Sequence, residues 1–208
     1  MNGAAALWLG SVPLVLASGS TTRRDMLLAA GILVEVIKPE IDERAVEAAL
    51  LQRGLPGEDA ALELARAKAL VVSRAHAQRI VLGADQTLTC DGVSHHKPAD
   101  AAGARAQIAA LSGRTHQLRS AFVLAQAGEV IAQGAQTAGL TMRALSPDFI
   151  AAYVDAMGPS AFVSIGGYQI EGLGAQLFDT VEGDHFTILG LPLLAVLAAL
   201  RGHGLLAH

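Results

Sequence analysis

Residues 13–32, "PLVLASGSTTRRDMLLAAGI", constrain the fold more than any other stretch of this chain. An apolar run enters a Ser18-Gly19-Ser20 turn, and a helical pattern follows at once. Pro13 and the β-branched Val12 and Val15 suit a short strand, "PLVLAS". The helix is expected over residues 21–31, opening on a Thr22-x-x-Asp25 capping pattern and stopping at Gly31. A strand that feeds directly into a helix buries its apolar face beneath helices, which commits the chain to α/β layers.

The alternation continues along the chain. "LVEVIKPEI" reads as a strand ending at Pro39, and residues 58–76 as a helix with Leu62, Ala65, Ala69 and Val72 on one apolar stripe. "RIVLGAD" is expected to be a buried strand that ends in its aspartate, followed by a hairpin in "TLTCDGVSHHK" turning at Asp91-Gly92. A helix over 99–111 precedes strands over 115–125 and 129–142 about an Ala127-Gly128 turn. Ser146-Pro147 opens a helix that closes at Gly158-Pro159. "GGYQIEGLGAQLF" and "DHFTILGLP" read as glycine-punctuated strand and loop before a last helix near 191–201. There is no repeat and no long linker, and hairpins interrupt the βαβ rhythm. The expectation is a single α/β domain over 1–208, with a mixed, curved sheet flanked by helices rather than a regular parallel fold.

Composition narrows the function classes. A net charge of -4 gives no reason to expect nucleic acid or an anionic membrane as partner. No apolar run reaches the roughly 18 residues of a membrane helix without Gly, Pro or charge breaking it. The apolar residues 4–17 lack a basic flank, since no Lys or Arg precedes Arg23, so they read as a strand and not as an export signal. The lone Cys90 cannot form an internal disulfide, and a cytoplasmic location is expected.

Polar residues at the expected strand ends carry the chemistry. The Ser18–Ser20 turn leads into a helix N-terminus, whose unpaired N–H groups and partial positive charge can hold an anion. Arg23 and Arg24 oppose that dipole, so either they face an anion or they are solvent-facing residues beside an ordinary cap. Asp85, after "RIVLGA", can take a proton from water, bind a metal, or simply cap the next turn. "KPEIDER" offers Glu40, Asp42 and Glu43, a set suited to a hard divalent cation or to a solvated turn. Lys68, one position from the core face of its helix, and Lys97, before Pro98, can each neutralise phosphate charge.

Seven segments in register resemble the Maf family of nucleoside triphosphate pyrophosphatases: "LASGSTTRRDMLLAAGI", "KPEIDE", "ELARAKA", "VLGADQTLTCDG" with "KP" behind it, "LSGRTH", "GGYQIEGLG" and "GDHFTILGLPL". The resemblance implies a Maf/ITPase-like α/β fold of two lobes with a cleft, a homodimer, and hydrolysis of a nucleoside triphosphate to the monophosphate and pyrophosphate. It implies Mg²⁺ or Mn²⁺ as cofactor, with Asp42 and Glu43 at the acidic metal position. Asp85 resembles the general base, and Ser18, Ser20, Arg23, Lys68 and Lys97 the phosphate-binding set.

Three positions bear on specificity. The branch acting on dTTP and UTP usually carries arginine, threonine and glutamine where this chain has Thr22, Gln86 and Glu171. Gln86 and Glu171 resemble the 7-methyl-GTP branch, although that branch typically has tryptophan in place of Thr22. A glutamate accepts hydrogen bonds from a purine N–H face, above all on a cationic methylated guanine. Pyrimidines are therefore not the expected substrates. A dTTP/UTP-type enzyme, a pyrophosphatase for ITP or XTP, and a non-catalytic nucleotide-binding regulator of cell division are the alternatives.

Overall fold

The structure, a computed structural model, describes residues 7–52 and 60–207. The strands are β1 (Leu14–Ala17), β2 (Val34–Val36), β3 (Val81–Cys90), β4 (Val93–His95), β5 (Thr115–Gln126), β6 (Glu129–Met142) and β7 (Phe178–Glu182). The helices are α1 (Thr21–Ala29), α2 (Glu43–Gln52), α3 (Ala60–Ala75), α4 (Ala101–Leu111), α5 (Pro147–Met157), the single turn α6 (His185–Ile188) and α7 (Leu193–Gly202). One open sheet runs in the order β2-β1-β3-β5-β6-β7, with β4 paired to β3. It is mixed: β1 is parallel to β2 and β3, while β3–β4 and β6–β7 are antiparallel. Among the described residues no helix is long and apolar enough to cross a membrane.

The chain divides into two compact units, and β3, β5 and β6 each contribute to both. Of the described residues, the first holds 7–52, 60–86, 120–136 and 185–207. Its core joins Leu14 and Leu16 of β1 to Leu27 of α1, Leu82 of β3, Leu124 of β5 and Val196 and Leu200 of α7. A second, small-residue layer sets Ala61, Ala65 and Ala69 of α3 on Ala121, Val123 and Ala125 of β5. Side chains that small let helix and sheet approach closely, and Gly83 of β3 takes this furthest. A Cβ there would stand 2.2 Å from the Ala65 carbonyl oxygen and 2.7 Å from the Ala69 amide nitrogen.

The second unit holds residues 87–119 and 137–184. β3 and β4 form a hairpin closed at Asp91-Gly92, both with positive φ (49° and 78°), as a two-residue hairpin turn requires. Asp100 caps α4 and Ser146 caps α5, with Pro147 in its first turn. An aromatic cluster joins the buried His116 and Tyr168 to the half-buried Phe178, and His116 Nε2 lies 2.6 Å from the Tyr168 hydroxyl.

Several expectations are corrected. α1 is capped by Ser20, whose Oγ accepts from Arg23 N–H at 3.3 Å, so Thr22 lies inside the helix. β2 spans only Val34–Val36, and residues 43–52 form a helix that the reading of "KPEIDER" as a turn missed. Asp42 caps that helix by accepting from Ala45 N–H, and the run behind it is rich in helix formers. β3 does not end at Asp85 but runs to Cys90, because its second half pairs with β4. "DHFTILGLP" holds the turn α6 instead of a strand, and "GGYQIEGLGAQLF" forms short 3₁₀ turns. Of the helix expected over 58–76, residues 58 and 59 lie outside the described residues, as do residues 4–6 of the opening apolar run.

Candidate active site

The site grows from the carboxyl end of β1. Its parallel partnership with β3 stops at Ala17 and Gly83; Ser18 follows at once on the β1 side, and Ala84 and then Asp85 follow along β3. Ligands on such sheets gather at strand carboxyl ends. Ser18 is buried, and its Oγ accepts from Ser20 N–H at 3.3 Å and from Arg23 NH1 at 3.1 Å. Both acceptor sites of that hydroxyl are thus used, which leaves its proton to give to an anion.

Arg23 is held at three points. Nε donates to the Gly190 carbonyl at 2.7 Å, and NH1 donates to the Ala84 carbonyl at 3.1 Å as well as to Ser18. Burial pushes the pKa of the guanidinium below its ordinary value, and the charges of Asp85 and Glu43 act against that shift. Arg24, offered with Arg23 as an anion ligand, turns instead to Asp25 at 2.8 Å on the surface.

Lys68 corrects the sequence reading most plainly. It lies on the buried face of α3, only 6% exposed, and not beside that face. A lysine is buried at this level only when its charge is matched. Nζ lies 2.5 Å from Asp85 Oδ1 and 2.7 Å from Glu43 Oε1. The close seat of α3 on Gly83 and β5 brings this ammonium within reach of β3.

The same geometry tests the fit of a divalent cation. Glu43 and Asp85 turn hard oxygen donors onto one point, now matched by an ammonium. Two carboxylates completed by water and phosphate oxygens is a usual Mg²⁺ donor set. Among the described residues no group of three or more His, Cys, Asp or Glu gathers to enclose a metal. A pair of carboxylates of this kind fits an ion that is shared with a substrate. Asp42 supports this set from one residue away, as the cap of the helix that Glu43 begins.

Of the specificity positions, Thr22 is partly buried in the first turn of α1. Gln86 Nε2 donates to the carbonyls of Thr187 at 3.1 Å and Ile188 at 3.0 Å. Lys97 and Glu171 belong to the second unit and are exposed. Lys97 follows β4 in the segment before α4. Glu171 rides a glycine-rich loop folded on the Gln169 carbonyl, which accepts from Gly172 N–H at 3.2 Å and Gly174 N–H at 3.1 Å. A Cβ at Gly174 would stand 2.3 Å from that oxygen, so the loop needs glycine there. Tyr153, in the same unit, has its phenol pushed up to about 12, chiefly by burial and further by the Glu171 charge.

The residues that sequence reasoning passed over are structural neighbours of the site: Gly83, Gly190, Ser120, Gln136 and Thr187. Only Gly83 had a readable signal, a glycine inside an apolar strand that marks close backbone approach.

A helix-capping serine turn, an anchored arginine and a lysine clasped by two carboxylates bring anion-binding and proton-accepting groups together in the first unit. The chain belongs to the Maf-like protein family, whose pattern matches residues 13–203. It is 52% identical over 191 residues to the 7-methyl-GTP pyrophosphatase of Mesorhizobium japonicum (strain LMG 29417 / CECT 9101 / MAFF 303099), covering 92% of this chain and 96% of that one. It is 50% identical over 203 residues to the nucleoside triphosphate pyrophosphatase of Rhodopseudomonas palustris (strain HaA2), covering 97% and 98%. A crystal structure of a nucleoside-triphosphatase / dITP/XTP pyrophosphatase from Mycobacterium abscessus ATCC 19977 / DSM 44196 is a remote likeness, with TM-score 0.40 and 16% identity over 93% of this chain and 96% of that one.

Proposed function

We propose that this protein is a nucleoside triphosphate pyrophosphatase that cleaves between the α- and β-phosphates and prefers a guanine-type base, 7-methyl-GTP above all. The observation that carries the reading is Lys68, buried and shared between Asp85 and Glu43 beside the anchored Arg23. Relatives about half identical over nearly the whole chain bear pyrophosphatase names, one of them for 7-methyl-GTP.

In this reading Asp85 is the general base. Its Oδ1 is engaged by Lys68, and its second oxygen takes a proton from the water that attacks the α-phosphorus. Ser18 and Ser20 give hydroxyl protons to phosphate oxygens at the start of α1, and Arg23 matches their charge; Lys97, in the second unit, resembles the family's further phosphate-binding lysine. Lys68 orients Asp85 and faces the charge that develops on the leaving pyrophosphate. Glu43, beside Asp42, together with Asp85 would hold Mg²⁺ or Mn²⁺. That ion, when bound, supplies Lewis-acid stabilisation of the charge on the transferred and leaving phosphates. A triphosphate carries about four negative charges near neutral pH, which one arginine, two lysines and a divalent cation approximately balance.

Glu171 is the base-reading acceptor and, with Gln86, marks the 7-methyl-GTP branch. The family match over 13–203 supports reading the chain as one functional domain, the resemblance supports a homodimer, and the net charge of -4 and the lone Cys90 support a cytoplasmic protein without nucleic-acid or membrane partners.

The test is pyrophosphate release from 7-methyl-GTP, GTP, dTTP, UTP, ITP and XTP, with Mg²⁺, with Mn²⁺ and with chelator. Metal-dependent turnover led by 7-methyl-GTP is expected. A lead by dTTP and UTP, or by ITP and XTP, would discard the base assignment and keep the chemistry. No turnover with any nucleotide would leave a binding protein in its place.

A further inference from the structure

Gln86 raises a question that the base-specificity reading does not answer, because its amide N–H₂ group is spent inside the protein. Nε2 faces two carbonyl oxygens, Thr187 at 3.1 Å and Ile188 at 3.0 Å. Both neighbours are acceptors, so only the nitrogen can face them, and the amide's orientation is set by chemistry. Its two N–H groups match two carbonyls and leave no donor for a nucleotide base.

The turn that Gln86 holds is tied down elsewhere as well. Ser120 Oγ, fully buried on β5, donates to the Thr187 carbonyl at 2.7 Å. Thr187 Oγ1 donates to Gln136 Oε1 of β6 at 3.0 Å. Two residues past α6, the Gly190 carbonyl accepts from Arg23 Nε at 2.7 Å. Gly190 has φ of 103°, and a Cβ on it would stand 3.5 Å from Gln86 Oε1 and 3.6 Å from Nε and NH2 of Arg23. One short segment, 187–190, thus connects the Gln86 amide to the Arg23 guanidinium.

We propose that Gln86 is a positioning residue: it holds the 187–190 segment so that the Gly190 carbonyl fixes Arg23 toward the phosphates of the substrate. The inference rests on the phosphate-binding role proposed for Arg23. It gives the residue after the general base a role in gripping the triphosphate rather than in reading the base. A threonine at this position has one O–H and could hold at most one of the two carbonyls.

The probe that separates the two roles is inorganic tripolyphosphate, which has the phosphates and no base. Its binding is measured by calorimetry with Mg²⁺ for the wild type, Gln86→Met, Gln86→Thr, Arg23→Met and the Gln86→Met/Arg23→Met double variant. Gln86→Met is expected to weaken binding about tenfold, the scale of one hydrogen bond to a charged group. Gln86→Thr, which keeps one donor, should fall between it and the wild type and serves if the methionine variant folds poorly. The double variant should bind no worse than Arg23→Met alone, because Gln86 acts only through Arg23. Relative kcat/KM among the nucleotides should stay unchanged in Gln86→Met while KM rises for all of them. Unchanged tripolyphosphate affinity with an altered base preference would overturn the proposal, as would losses that add in the double variant. A wild type that binds tripolyphosphate while Arg23→Met binds it equally well would refute the role of Arg23, and this inference with it. A wild type that binds tripolyphosphate but hydrolyses no nucleotide would count against the proposed function alone.

Discussion

Gly83→Ala is the substitution whose outcome follows most directly from the packing. The new Cβ would meet the Ala65 carbonyl oxygen at 2.2 Å, the Ala69 amide nitrogen at 2.7 Å and the Ala69 Cβ at 2.8 Å. Ordinary contact begins near 3.4 Å, and two of these atoms are backbone, so no side-chain rotation relieves the clash. α3 must recede from β3 by about an ångström. Overpacking of this kind costs about 1–3 kcal/mol or more, and here it also draws Lys68 away from a 2.5 Å contact with Asp85. A total near 3 kcal/mol lowers Tm by about 10 °C in a chain of this size, at roughly 2–4 °C per kcal/mol. Misplacing a catalytic group by about an ångström costs on the order of a hundredfold in rate, so kcat should fall by that factor. Gly139→Ala on β6, where nothing lies within 4 Å of the added atom, is the control and should change neither quantity. Calorimetric melting and pyrophosphate release read the two effects. A Gly83→Ala protein that melts with the wild type and turns over at full rate would refute the claim that close seating of α3 builds the site.

Two further perturbations have defined outcomes. Asp85→Asn keeps an oxygen for Lys68 but cannot take a proton, so turnover should fall by roughly 10²–10⁴ while tripolyphosphate binding persists; full turnover would remove Asp85 as the base. His116 is fully buried, and burial, with a smaller effect of His95, lowers its pKa to about 4 from 6.5. The unfolded chain therefore binds this proton first as pH falls, so stability is lost between about pH 6.5 and 4, by roughly 3 kcal/mol from this residue. His116→Gln should flatten that slope in denaturant titrations across the range, and an unchanged slope would show that other groups set it.

Much of the candidate site was legible in the sequence. The serine turn, Arg23, Asp85 and the lysines stand out because each puts polar or charged chemistry where local patterning favours something else. Helix caps were legible for the same local reason at Ser146, and misplaced by two residues at Ser20, where serine and threonine stand side by side. α2 was missed because an acidic cluster after a proline reads as a turn, while the helix formers behind Asp42 decide otherwise. The strand after Asp85 was cut short because a buried carboxylate looks like a strand end until its ammonium partner is known.

The sequence by itself determined the local elements and the chemical types: which segments alternate, where turns need positive φ, and which side chains can carry protons or charge. Tertiary structure decided which of those side chains meet. Lys68 lies 17 positions from Asp85 along the chain, and Gly190 lies 167 from Arg23. No local preference encodes such pairings. They follow from how closely alanine and glycine surfaces let α3 seat on the sheet, and from a buried polar network that holds residues 187–190 in place. Packing distance and hydrogen-bond satisfaction are properties of the folded whole, and they turn a set of plausible residues into a site.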